Sequence, residues 1–553
     1  MKKATLHITL LLVAFIGLNY LSNSFNFRID FTEDQRYTLS EPTKNMLKNI
    51  DSDVFVKVYL AGDELPGGFK RLEEAIKQTL DEFQSTTDNK INYRFIDIYT
   101  EIKDDGEREK LIAEIAQKGI IPTNIVAKKN GKNTQILILP GAIISYQSKE
   151  LPIFLLKGNQ LNTPQEKLNQ AIEGVEFEIA DAIKQLTQKE KKKIGFFVNY
   201  SSLPAIRQID LIATLKKNYD LFPVDLSASP TLDGLDAIFV MNPDKPFSEE
   251  DKYKIDQFIV KGGKALFFID PVKTEPIGEE GVFAKPFSVN LDDLFFKYGI
   301  RLNTNLLKDM QMSAAIPMNV GNIGESPTIQ LVPWPYFPLI NSFGNSTITH
   351  NLDAVYLKYP STIDTVKSEN IVKTPLLQSS VYTQILNTPA TVSYHTAAKD
   401  FDAAKQKAGV KTIAYLLEGQ FESYFSNLIL PSDPRFTSFK SKDKSSKIII
   451  CADGDLPTND VDEKAQQPLP LGFDKYSKHT FANKDFVKNA VDYLLEPDGI
   501  IASRSKTVKL RPLDKAEISQ NMTKWQAINL LVPFGLLGIL GLLFSFTIRR
   551  KYL

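Results

Sequence analysis

The sequence predicts an α/β protein tethered to a membrane at both ends. Three observations carry that expectation: an apolar run at each terminus, hydrophobic spacing that switches repeatedly between two and 3.6 residues in between, and the composition of a folded body. Of the 553 residues, 43% are hydrophobic and 24% charged, ordinary for a globular protein.

The C-terminal run, Ala527 to Ile548, has no charge and the length that a helix needs to cross a bilayer, roughly 20 residues. Arg549, Arg550 and Lys551 follow it, and such clusters stay on the cytoplasmic side, while Trp525 stands where aromatic rings gather at the interface. Met1 to Leu21 repeats the pattern, with Lys2 and Lys3 ahead of the apolar run and Tyr20 at its far end. A cleaved signal peptide is the rival reading, but the run is long for one and SNSFNF offers no A-x-A-like site. The expected topology is in, out, in, with residues 22–526 outside the cytoplasm. Gly535, Gly538 and Gly541 recur every third residue, and Gly541 with Ser545 makes a small-xxx-small pair, so this face is a candidate contact for another membrane helix.

The chain is formally neutral, and its terminal tails hold five cations and no acid, which leaves the body at minus five. That disfavours nucleic acid or an anionic surface as a partner. The single cysteine, Cys451, allows no internal disulfide, so packing must supply the stability.

After a connecting stretch from Phe25 to Thr38, strands are expected at 53–60 and 91–98. Between them Phe69, Leu72, Ile76, Leu80 and Phe83 share one helical face. A helix over 107–118 ends at Gly119, and Asn130-Gly131 between 125–128 and 134–139 signals a two-residue hairpin. Thr163-Pro164-Gln165-Glu166 is a capping box with proline at the first helical position. It opens a helix striped by Leu168, Ile172, Val175, Ile179, Ile183 and Leu186. This order resembles the thioredoxin fold, with Pro122 where that fold carries a cis-proline. No C-x-x-C is present, so thiol exchange is not expected.

A second alternation follows: strands at 194–198, 222–226, 236–241 and 265–270, with helices at 204–218 and 248–260. It predicts a mostly parallel sheet with helices on both faces, and ligands in such sheets bind at the carboxyl ends of the strands. Those ends read Asn199-Tyr200-Ser201-Ser202, Asn242-Pro243-Asp244 and Asp270-Pro271, with no glycine-rich phosphate loop. If ATP drives this system, another protein binds it. The sheet resembles the class I glutamine-amidotransferase-like fold without its nucleophile elbow. Cys451, at the end of Ile448-Ile449-Ile450, reads as a buried strand residue. His350, His395 and His479 lack zinc spacing, and Asp453-Gly454-Asp455 with Asn459, Asp460 and Asp462 departs from a calcium loop and reads as a polar turn. No catalytic, cofactor or metal residue is assigned.

From about 272 to 446 the alternation breaks, and the sheet is expected to resume at 447–452 and close with a helix over 483–495. Within the insertion, the proline-stiffened run around Trp334, Tyr336 and Phe337 is a candidate partner contact, the alternative being a loop packed on the sheet. The expected boundaries are an anchor at 1–21 and a thioredoxin-like domain at 22–190. An amidotransferase-like domain at 191–505 follows, then a connector at 506–526, the second span at 527–548 and a basic tail at 549–553.

Several stretches together carry a family resemblance: Tyr37-Thr38-Leu39-Ser40, Trp334 to Leu339, Ile348 to Leu352, Pro375 to Ser380 and Leu417 to Phe421. Asn483 to Leu494, Arg504-Ser505-Lys506 and Arg511 to Asp514 complete the set. They resemble the gliding-motility-associated ABC-transporter auxiliary proteins of the Bacteroidetes, the GldG family, within a wider auxiliary group. The resemblance implies an inner-membrane protein facing the periplasm, working with a multi-span permease and a cytoplasmic ATPase, with a periplasmic ligand left open. It transfers no catalytic motif. A membrane-anchored periplasmic enzyme and a purely structural periplasmic element are the alternatives from other classes.

Overall fold

The computed structural model describes residues 38–129, 132–157, 162–278, 281–323, 326–394, 408–429, 433–496, 499–505 and 515–552. The expected first span lies outside them. One compact unit runs to Thr507 and a second from Val508.

The first sheet contains β1 (Val54–Val58), β2 (Ile91–Phe95), β5 (Gly141–Tyr146) and β6 (Lys149–Phe154) in the order β2-β1-β5-β6. β1 pairs parallel with β2 and antiparallel with β5. Helix α1 (Gly67–Thr86) buries Leu72, Ile76, Leu80 and Phe83 completely, on the face that the spacing predicts. Each such side chain contributes about 1.5–3 kcal/mol over its exposed state. Helix α2 (Pro164–Thr187) starts with the expected Thr163–Glu166 capping box.

The expected hairpin forms as β3 (Thr123–Lys129) and β4 (Lys132–Ile138), with its two turn residues outside the described set. It is a separate two-stranded ribbon. The sheet takes β5 and β6 in its place. Their sequence, a mostly apolar run and then a run holding Pro152, lacks the alternation that marks a half-exposed strand. The one cis peptide bond among the described residues is Thr388–Pro389, so Pro122 is not a cis-proline.

The large sheet has eight strands. Its parallel part comprises β7 (Lys192–Phe197), β8 (Tyr219–Val224), β9 (Ala237–Met241), β10 (Lys264–Phe268) and β13 (Lys442–Cys451). In space they run β8-β7-β9-β10-β13, the 2-1-3-4-5 order of a doubly wound sheet. Beyond β13 lie β12 (Thr412–Glu422), β11 (Ile371–Gln378) and a two-residue edge strand, Ser342–Phe343, each antiparallel to its neighbour. The stretch between about 272 and 446 therefore rejoins the sheet three times before residue 442. Helix α3 (Glu249–Val260), capped by Ser248, covers one face, and α4 (Asn483–Leu495) closes the chain against the other core.

The two sheets share an interface between α2 and α4. Lys488 Nζ lies 3.1 Å from Asp181 and 2.7 Å from Asp492, which also accepts a bond from Tyr219 Oη at 2.6 Å. Lys184 pairs with Glu496. Ile500 and Ile501 pack back into the core of the first sheet.

The second unit contains α5 (Met522–Tyr552). Its segment Met522–Ser545 has a mean hydropathy of 2.3 and is wholly exposed, so it is long and apolar enough to cross a membrane.

Candidate functional site

The carboxyl edge of the parallel strands gathers the polar residues that the sequence scatters over 250 positions. The crevice between β7 and β9, where the strand order reverses, is closed by its own loops. Asp244 N–H donates to the Tyr200 carbonyl at 2.9 Å, Ser202 N–H to Asp244 at 3.1 Å, and Ser201 Oγ to the Asn242 carbonyl at 3.0 Å. Below it, Tyr200 Oη donates to buried Asp251 at 2.6 Å.

Beside the crevice, Asp453-Gly454-Asp455 turns tightly after β13. Asp453 is fully buried and accepts backbone N–H groups from Lys358, Asp455 and Leu456 at 2.9, 3.0 and 2.9 Å. Gly454 N–H donates to Asp270 at 2.5 Å. A Cβ on Gly454 would come within 2.9 Å of the side chains of both Asn242 and Asp270, so an added carbon would displace them. Arg207 reaches Asp455 at 3.5 Å and Thr458 at 3.2 Å, while Lys358 is bidentate to Asp460 at 2.8 Å. This is the polar turn expected from the sequence, and the cations that balance it come from positions the sequence does not link to it. Burial and then the neighbouring Asp455 push the Asp270 carboxyl up to about 7. Burial and then Asp270 push Asp453 well above the carboxylate range.

Cys451 is fully buried on β13, and desolvation, reinforced by Asp453, raises its thiol well above the ordinary value, which suppresses the thiolate. His479 contacts Asp353 at 3.3 Å and sits edge-on to Phe481, and the His350 carbonyl accepts from Arg504. His395 lies outside the described residues. Among the described residues no group of three or more His, Cys, Asp or Glu is arranged to hold a metal ion.

The aromatic run corrects its sequence reading. Trp334 is 0% and Tyr336 3% exposed. With Phe337 partly covered, they fill a core of their own with Val272, Val282 and Leu306. Strand alternation explains it: Trp334 and Tyr336 point inward from Ser326–Ile340, and Ile329 and Leu331 point out, 66% and 54% exposed. Those two inner rings are therefore unavailable to a partner. On α5, a Cβ at Gly535, Gly538 or Gly541 would meet nothing among the described residues, and Ser545 is exposed.

The sequence also does not reveal a cleft of about 460 Å3 at the carboxyl ends of β1 and β2. Tyr59, Asp63, Asp97, Tyr99 and the outer side of β4 line it. A polar residue following each strand, Gly62-Asp63 and Asp97, was the available signal.

Fold and edge together define an α/β protein whose sheet-end crevice is filled by its own loops, attached to an apolar helix. The chain belongs to an auxiliary family described as an ABC-type uncharacterized transport system, whose model matches residues 191–490, more than half its length. Residues 33–145 match a domain family of unknown function. An uncharacterized protein of Borreliella burgdorferi (strain ATCC 35210 / DSM 4680 / CIP 102532 / B31) is 22% identical over 99% of this chain and 97% of its own length. Among solved structures, the mmIFT52 N-terminal domain is 11% identical, with 55% of this chain and 97% of that one covered and a TM-score of 0.30. That likeness is too slight to carry an argument.

Proposed function

We propose that the protein is a non-catalytic accessory subunit of an ABC transporter, anchored in the inner membrane by two spans with its body in the periplasm. The membership of residues 191–490 in an ABC-transport auxiliary family carries this reading, and the exposed apolar α5 supports the anchoring. We read the first sheet as thioredoxin-like without its redox chemistry and the second as amidotransferase-like without its nucleophile. The multi-span permease and cytoplasmic ATPase are the partners, and a role in gliding motility is the specific assignment that the sequence resemblance implies. The buried, proton-holding thiol of Cys451 disfavours the enzymatic alternative.

Affinity purification of the tagged chain in mild detergent, with mass spectrometry of what is retained, tests the reading. A permease and an ATPase in stable ratio are expected, and their absence overturns it. Reporter fusions active only outside the cytoplasm should work at Gly131 and fail after Leu553. Activity after Leu553 would refute the topology.

A further inference from the structure

We propose that the cleft beside β4 receives an extended peptide segment of a partner protein, apolar with basic residues, which pairs with β4 as an added strand. The inference stands apart from the transporter reading, since it rests on the cleft alone.

β4 pairs only with β3 among the described residues. Lys129 lies opposite Lys132 in the register, and the Leu137 carbonyl is bonded from outside the ribbon, so residues 132, 134, 136 and 138 bond into β3. Asn133, Gln135 and Leu137 therefore turn their backbone N–H and C=O outward. The Leu137 carbonyl accepts from Tyr99 Oη at 2.8 Å, which places an aromatic ring at the edge. The outward groups of Asn133 and Gln135 and the Leu137 N–H form an edge of the kind that templates strand addition, in which backbone bonds give affinity and alternate side chains give specificity.

Charge names the occupant. The cleft lining includes Asp63, Glu64 and Asp97 and no lysine or arginine. Arg108, stacked on Tyr99 at 5.2 Å, is committed to Asp105 and to the Ile102 carbonyl. Ile98, Ile136 and Ile138 add an apolar wall. A cavity of about 460 Å3 is of the size that holds several side chains, and five residues of strand span about 17 Å.

The test uses the full chain in a neutral detergent and a fluorescent octapeptide of alternating Val and Lys, with the Val–Glu octapeptide as control, read by anisotropy. The Val–Lys peptide should bind at least tenfold more tightly than the control. Gln135→Pro removes one outward N–H without touching a bond to β3, and should weaken binding at least tenfold. Asp63→Asn with Asp97→Asn, which keeps an oxygen for the Tyr99 N–H that Asp97 accepts at 2.9 Å, should weaken it equally and flatten its salt dependence. Equal binding of the two peptides, or unchanged binding by both variants, overturns the proposal. So does slow hydrogen exchange at Gln135 and Leu137 without peptide, since the edge would then be covered by this chain itself.

Discussion

Gly454 occupies a position where one added carbon meets two neighbours. A Cβ at 2.9 Å from Asn242 and Asp270 forces the turn off β10, so Gly454→Ala should destabilise the body by about 1–3 kcal/mol, read as a fall in chemical denaturation midpoint. Asp270, partly covered beside it, gives a pH effect of definite sign. Its proton is held to about 7 in the folded chain against 3.8 in the ordinary carboxyl. A group bound more tightly by its proton when folded stabilises fully below the unfolded value and loses that contribution as pH rises through the folded one. The melting temperature should therefore decline between about pH 4 and 7. Asp270→Asn, which keeps an oxygen for the Gly454 N–H, should make the decline shallower, with buried Asp453 responsible for what remains. An unchanged slope would show that Asp270 titrates normally.

At the scale of elements, the arm Ser326–Ile340 shows how one strand carries two fates. Trp334→Ala removes a fully buried ring and should cost about 3–5 kcal/mol, whereas Leu331→Ala, three residues away and more than half exposed, should change stability by about 0.5 kcal/mol or less. Comparable losses would mean that the arm has no inner face. The same strand explains what the sequence concealed. Prolines at 333, 335 and 338 masked its alternation, so a strand with an inward aromatic face read as a stiffened loop, either a partner contact or packed on the sheet. Helices α1 and α2 were legible because their stripes repeat over several turns and α2 carries its own cap. β5 and β6 were not, since Gly141–Tyr146 is nearly all buried and so does not alternate. The sheet-end polar residues were legible one strand at a time, but Arg207 and Lys358 join them only through the topology. The cleft beside β4 was hidden for the same reason: its walls come from stretches at 59–65, 97–100 and 134–139.

For the whole molecule, the apolar α5 sets the decisive constraint. Leu531, Phe534 and Phe544 are about 70% exposed, and a row of such residues along 24 positions is long and apolar enough to lie in lipid. The chain should stay with membranes through alkaline carbonate extraction, and its release would refute the span. Within lipid, apolar side chains gain nothing by leaving their surroundings, so association of α5 with a permease helix would rest on close packing, which Gly535, Gly538, Gly541 and Ser545 permit. A Cβ at Gly538 or Gly541 meets no atom among the described residues, and replacing both by Leu leaves the span apolar, so insertion and folding should persist. Recovery of permease and ATPase with the tagged double variant, normalised to the variant in the membrane, should fall at least severalfold. Undiminished recovery would assign the contact to the body or to the first apolar run and leave the glycines without a partner.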